Sequence, residues 1–325
     1  MGRLWAALLP SDRCGFLPRL SADEFGVEKG ELGGSFSRQE GSPETRCEYV
    51  LVRSAPPSMA PQGFGRTFLT ASPDSVRTRS PVSRCWFHSV EHVGLLLVTT
   101  KAGDTLAALN DWLPRVPENT PVVLLQNGLG SQQAVAERWP GRPILAASTT
   151  EGANRPSPDV LVHAGVGDTW VGALTASAAN HKAGVVQQLA ASGLKVHAEA
   201  NILQRLWQKL VVNAGINPFT ALLDCPNGDI LGSSLFQHNI DGLCAEMSLL
   251  LQAEISESIA PEVLREKIET VARSTASNTS SMRADVSAGR KTEIDFINGY
   301  LVQCGKCQGI ATPVNQMLTE RVQAL

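Results

Sequence analysis

The chain has 325 residues, 43% of them hydrophobic and 18% charged, with a net charge of −3; single cores stop growing near roughly 250–300 residues, so two domains are expected. The acidic balance leaves no basic footprint for nucleic acid, and no apolar run reaches the roughly 18 residues that a membrane span requires. The seven cysteines are scattered and odd in number, which argues against a disulfide framework and for a reducing cytoplasm.

The opening Met1-Gly-Arg-Leu-Trp-Ala-Ala-Leu-Leu-Pro10 has one basic residue and a short apolar run without a clean cleavage site, so export is not expected. Residues 20–92 read as irregular, because Gly30–Ser35, Ser54–Gln62 and Ser72–Ser83 are rich in Gly, Pro, Ser and Arg and lack periodicity. From Val93 onward the pattern is regular. Val93–Thr100, Pro121–Gln126 and Pro143–Ala147 are apolar runs of strand length, and Thr105–Leu113 and Ser131–Trp139 between them read as helices. Buried strands alternating with helices imply a parallel sheet covered on both faces. Val160–Gly172, with short alternating runs and glycines, predicts antiparallel strands at the sheet edge. Beyond Asn201 the spacing of apolar residues is helical over Leu203–Ala214, Leu235–Ser256, Pro261–Ser274 and Thr292–Gln308, with Pro218 and Pro226 punctuating the first stretch. The fold class expected is therefore an α/β Rossmann-like domain, residues 1–195, followed by an all-helical C-terminal domain, residues 196–325.

Lys209, Asn213 and Asn217 are spaced four and four, which puts them on one helix face among apolar neighbours. Buried polar groups need partners or a ligand, and a lysine desolvated in a cleft has a lowered pKa suited to a general acid. The same spacing suits a solvated polar stripe, or an Asn pair capping the break before Pro218. Asn278, Ser281 and Asp285 are spaced three and four, with Glu293 twelve residues beyond Ser281. They suit a ligand bearing hydroxyl and carboxylate groups, or else a turn and two helix starts. Gln126-Asn-Gly-Leu-Gly-Ser131 follows a buried strand, at the carboxyl edge where open parallel sheets bind ligands, and Lys101 holds the equivalent place one unit earlier. Cys304-Gly-Lys-Cys307 is a lone pair inside a predicted helix, and the six histidines are scattered, so no metal site is expected.

Together these segments resemble one family. Leu95-Leu-Leu-Val-Thr-Thr-Lys-Ala102, Leu125-Gln-Asn-Gly-Leu-Gly130, Trp207-Gln-Lys-Leu-Val-Val-Asn-Ala-Gly-Ile-Asn-Pro218, Ser280-Ser-Met282 and Thr292-Glu-Ile-Asp-Phe-Ile-Asn-Gly299 look like those of the ketopantoate reductases. The resemblance implies a fold like that of 6-phosphogluconate dehydrogenase, NADPH as hydride donor and 2-dehydropantoate as substrate, in pantothenate synthesis, by a monomer or homodimer. It implies Lys209 as proton donor, with Glu293 the second catalytic residue, and Asn127, Asn213, Asn217, Asn227 and Ser281 holding substrate. Lys101, Asn127, Ala153 and Glu293 would touch the cofactor. A related reductase of another branched 2-keto acid is the neighbouring alternative.

One departure stands out. A dinucleotide fold opens with a hydrophobic strand and Gly-x-Gly-x-x-Gly, whose backbone cradles the pyrophosphate. Here Met1-Gly-Arg-Leu-Trp resembles the family only from the third glycine on, with Gly2 in that place. A chain that starts late, or a homologue with impaired catalysis that still binds a pantoate-like ligand, are the two readings. Either way the first strand is expected to be missing, with the ladder groups of its neighbours left open. For the arginine that meets the cofactor 2′-phosphate, Arg19 is the candidate and Arg53 the runner-up.

Overall fold

The computed structural model describes Trp5, Leu8, Leu9, the strands Cys14–Leu17, Cys47–Val52, Arg66–Thr70 and Val76–Arg79, and residues 93–157 and 160–325. Gly2, Arg19 and Arg53 lie outside the described residues. The chain divides into two compact units. One takes Met1–Gln126 and Ala134–Ala200, the other Asn127–Gln133 and Asn201–Leu325.

The first unit is α/β. Its strands are β1 (Cys14–Leu17), β2 (Cys47–Val52), β3 (Arg66–Thr70), β4 (Val76–Arg79), β5 (Val93–Val98), β6 (Val122–Leu124), β7 (Ile144–Thr149), β8 (Gly152–Ser157), β9 (Val160–Gly165), β10 (Asp168–Ala173) and β11 (Lys195–Ala198). Among the described residues they form a seven-stranded sheet in the order β1-β2-β5-β6-β7-β10-β11 and a four-stranded sheet in the order β4-β3-β9-β8. In the larger sheet every ladder is parallel except that between β7 and β10.

The period of two along β5 and β6 explains the two-sided core. Leu96, Val98, Val122 and Leu124 face one side, with Leu109, Trp112 and Leu113 from the helix α1 (Thr105–Trp112) and the turn after it. Leu95, Leu97 and Val123 face the other, with Trp5, Leu9, and Val185 and Leu189 of α3 (Lys182–Ala190). Between these in sequence lies α2 (Ser131–Arg138). Trp5 and Leu9 are joined by a helical Leu9 N–H to Trp5 carbonyl bond of 2.9 Å, so they share a face.

Three expectations are corrected here. The segment 20–92 is not irregular throughout: it contributes β2, β3 and β4. The ladder beside β5 is not left open, because Cys47–Val52 pairs in parallel with Val93–Val98 and on its other side with β1. An apolar run of strand length, Tyr49-Val-Leu-Val52, takes the place beside β5. The predicted edge pair also splits: β9 joins the smaller sheet, while β10 pairs with β7 and is itself covered by β11.

The second unit contains α4 (Ile202–Leu223), α5 (Ser234–Ile255), α6 (Pro261–Ser274), α7 (Ser281–Ser287), α8 (Asn298–Gln308) and α9 (Pro313–Gln323). α4 packs against α5, α6, α7 and α9. Asn201 starts it, its side-chain oxygen accepting from Gln204 N–H at 3.3 Å. Pro218 does not end it; the helix continues to Leu223 and stops at Asp224 in the left-handed region, φ 47°. Thr292–Gln308 is not one helix either. A 3₁₀ turn, Ile294–Phe296, is separated from α8 by Ile297 with ψ −94°, outside the helical range.

Candidate active site

The α4 face carries three of the candidate residues. Lys209, Asn213 and Asn217 lie along it, and intervening Leu206, Leu210, Val211 and Ala214 are buried. Burial pushes the Lys209 ammonium down to about 8 from 10.5, and the negative charge of Glu293 works in the opposite direction. Asn217 is only 7% exposed.

Glu293 is brought in by a loop that only glycine permits. Gly128 and Gly130 have φ of 77° and 98°, a region that disfavours any side chain. A Cβ on Gly128 would stand 2.1 Å from the Phe296 carbonyl oxygen. That close approach lets Leu129 N–H donate to the same oxygen at 2.9 Å. With the loop pinned to the 3₁₀ turn, Asn127 Nδ2 donates to Glu293 Oε2 at 3.3 Å. Gln133 Nε2 adds a bond to the Tyr300 hydroxyl at 3.1 Å.

The remaining expected residues are placed as follows. Ser281 is the first residue of α7 and exposed. Its neighbour Ser280 is the cap: Oγ accepts from Arg283 N–H at 3.0 Å and lies 2.7 Å from Thr220 Oγ1 on α4. The cap interpretation of the Asn-Thr-Ser-Ser run thus applies to Ser280, and it tethers Ser281 to α4. Asn227 is buried, and its Nδ2 donates to Thr275 Oγ1 at 2.9 Å while its N–H donates to the Asn278 carbonyl at 3.0 Å. Among the described residues Asn227 Oδ1 is buried without a hydrogen-bond partner. Asp285 accepts from Arg290 Nε at 3.0 Å. Lys101 and Ala153 belong to the α/β unit. Lys101 is partly buried just past β5, and Ala153 is exposed on β8, in register with His163. Cys304 and Cys307 are free thiols within α8, Cys304 buried and Cys307 exposed, and burial pushes the Cys304 thiol up to about 11.

Sequence reading passed over two buried polar clusters. Glu151, just past β7, meets His163 of β9 at 2.5 Å. In the helical unit Glu246, Asn298 and Asn315 form a connected network. A proline inside a helical pattern was the available signal for the second, since it implies a carbonyl lacking its usual donor.

The chain thus holds a largely parallel α/β sheet in one unit and a desolvated lysine among amides in the other, helical one. Family models described as "Ketopantoate reductase PanE/ApbA" and "Ketopantoate reductase PanE/ApbA C terminal" match residues 49–176 and 201–325. The 2-dehydropantoate 2-reductase of Vibrio cholerae is 39% identical over 236 residues, covering 72% of this chain and 78% of that protein. In fold, the chain resembles 2-dehydropantoate 2-reductase from Geobacter metallireducens GS-15, with TM-score 0.73 and 22% identity over 85% of this chain and 91% of that one. It also resembles D-mandelate dehydrogenase solved with NADH and anilino(oxo)acetate, with TM-score 0.72 and 23% identity over 85% and 89% of the two chains. The chain belongs to the ketopantoate reductase family.

Proposed function

We propose that the protein reduces 2-dehydropantoate to pantoate with NADPH, in the cytoplasm, as a step of pantothenate synthesis. The observation that carries this reading is the α4 face, where a lysine lowered to about 8 by burial lies in line with two amides on a helix of a chain similar to 2-dehydropantoate 2-reductases. Among the described residues neither Asn213 nor Asn217 has a side-chain hydrogen-bond partner, as groups reserved for a ligand would require. Asn213 and Asn217, with Ser281 and Asn127, hold the hydroxyl and carboxylate groups of the substrate, and the unpartnered Asn227 Oδ1 remains for a further donor.

The α/β unit would hold the reduced cofactor at the carboxyl edge of its larger sheet. Thr99, Thr100 and Lys101 follow β5, and Gln126 follows β6, at carboxyl ends of parallel strands, where such sheets bind nucleotides. Lys101, Ala153 and Glu293 would hold it, and once bound it supplies a hydride to the carbonyl carbon. The oxygen then carries the developing negative charge. The Lys209 ammonium stabilises that charge and gives it a proton, leaving a neutral amine and the alcohol. A pKa near the working pH makes such a donor effective. Glu293 keeps Lys209 from losing its proton too readily, since its charge opposes the effect of burial.

The test is NADPH oxidation with 2-dehydropantoate, with Lys209→Ala beside the parent. Loss of the proton donor should lower kcat by about 10²–10⁴ with the melting temperature little changed. A variant that keeps the parent kcat removes Lys209 from the role. A second reading is favoured by one feature: no Gly-x-Gly-x-x-Gly occurs anywhere in the chain. In that reading the helical unit binds pantoate-like ligands without turnover. Calorimetry separates the two: pantoate binding with no NADPH binding supports the second.

A further inference from the structure

Pro218 sits inside a 22-residue helix and lacks the N–H that would donate to the carbonyl four residues back. That carbonyl belongs to Ala214, next to Asn213 and three residues before Asn217. It is not left empty. Asn298, from the first position of α8, is fully buried and donates through Nδ2 to the Ala214 oxygen at 3.3 Å. The second hydrogen of the same amide goes to Asn315 Oδ1 at 3.0 Å. Asn315 Nδ2 in turn donates to Glu246 Oε2 at 2.7 Å. Glu246, reaching from α5, also accepts the N–H groups of Val314 and Asn315 at 2.7 and 3.0 Å, the orphan donors of the first turn of α9. On another side of α4, Gly215 admits Ile268 so closely that a Cβ would meet it at 2.6 Å.

We infer that Asn298 is a positioning residue for the α4 site face: by supplying the donor that Pro218 lacks, and by being anchored through Asn315 and Glu246, it sets the pitch between Lys209 and Asn213 on one side of the gap and Asn217 on the other. The inference rests on the proposed reading of α4 as the substrate face. The reason is geometric. A helix missing a ladder bond bends at that point, and here the bend would fall between side chains that must meet one small substrate. Both hydrogens of the Asn298 amide are used, while its Oδ1 is buried without a partner among the described residues. The carbonyl it serves lies one residue from Asn213. A purely packing side chain would need neither feature.

A double-variant cycle tests this on the full chain. Asn298→Ser removes the donor, and Pro218→Ala restores the native one, so the two changes must be coupled. For Asn298→Ser, KM for 2-dehydropantoate should rise about tenfold with kcat less affected, since the bend displaces amides proposed to hold substrate, and one hydrogen bond is worth about a factor of ten in affinity. Pro218→Ala alone should change KM less than about threefold, and adding it to Asn298→Ser should return most of the lost KM. If Asn298→Ser does not accumulate folded, Asn315→Ala, which cuts the anchor and leaves the amide, enters the same cycle. Additive effects on KM overturn the inference. Coupling seen in the melting temperature but absent from KM also overturns it, and leaves a brace without influence on the site. A parent that binds NADPH yet does not turn over the keto acid overturns the proposed function, and the inference with it. Turnover by the parent with additive variants overturns the inference alone.

Discussion

The α/β unit is built on apolar layers, with Leu95, Leu97 and Val123 on one side of the sheet and Leu96, Val98 and Leu124 on the other, all fully buried. The helical unit adds to its apolar contacts a run of buried polar bonds, from the Ala214 carbonyl through Asn298 and Asn315 to Glu246. Apolar layers are non-directional, so they tolerate adjustment of strand and helix. Hydrogen-bonded networks are directional and fail sharply when one member is removed. The candidate site is placed on the unit that fixes direction, which suits a reaction needing several groups at set angles.

Glu246→Ala is the substitution that should break this contrast most clearly. It strips acceptors from Val314 N–H, Asn315 N–H and Asn315 Nδ2 at once, inside a region where unsatisfied donors cost about 1–3 kcal/mol each. A loss of about 3 kcal/mol or more is expected, lowering the melting temperature by roughly 6–12 °C, as read by calorimetry. A melting temperature within two or three degrees of the parent would show that the network is dispensable. The nearest counterpart in the α/β unit is Arg142. Its guanidinium donates to the carbonyls of Leu113, Val116 and Pro117, at 2.7 to 3.2 Å, closing the turn after α1. Burial lowers its pKa, against the charge of Glu118. Arg142→Ala should cost about 1–3 kcal/mol, appearing as faster amide exchange in α1. Because the sheet core is untouched, the loss should be smaller than that from Glu246→Ala; the reverse order would mean the α/β unit is the more network-dependent of the two.

The same contrast explains what could be read in advance. β5, β6 and β7 were legible because a run buried on both faces is local and apolar, and α6 was legible because Pro261 and the three- and four-residue spacing mark it. The identity of the strand beside β5 was not, since it depends on which of several short runs pairs with Val93–Val98 from far along the chain. Pro218 was read as a stop because the rule for proline is local, whereas its remedy, Asn298, lies 84 residues from Ala214. Lys209, Asn213 and Asn217 were visible through spacing on one helix. Asn127 and Glu293 were each noted, one in the loop after β6 and the other beyond Ser281, but their contact across 166 residues was not expected. Glu151 and His163 had no signal at all, being brought together by the joining of two sheets.

The smallest expected effect is a displacement of a pH profile, and it bears on why the helical unit carries a carboxylate near its lysine. Burial alone would push Lys209 below its present value of about 8; the charge of Glu293 holds it up. As a proton donor Lys209 is competent when protonated, so kcat/KM should be level below about 8 and fall as pH rises through it, about tenfold per unit. Glu293→Gln keeps an oxygen that can accept from Asn127 and removes the charge. With that opposing charge removed, the lysine pKa goes down, and the falling limb moves to lower pH. The plateau height can fall as well, because Glu293 is proposed to touch the cofactor, so the position of the limb is the quantity to read. It should be measured as initial rates across pH 6 to 10, on the free enzyme through kcat/KM. A limb that stays in place, or moves to higher pH, would mean that Glu293 does not set the Lys209 proton affinity, and that the carboxylate serves the Asn127 loop alone.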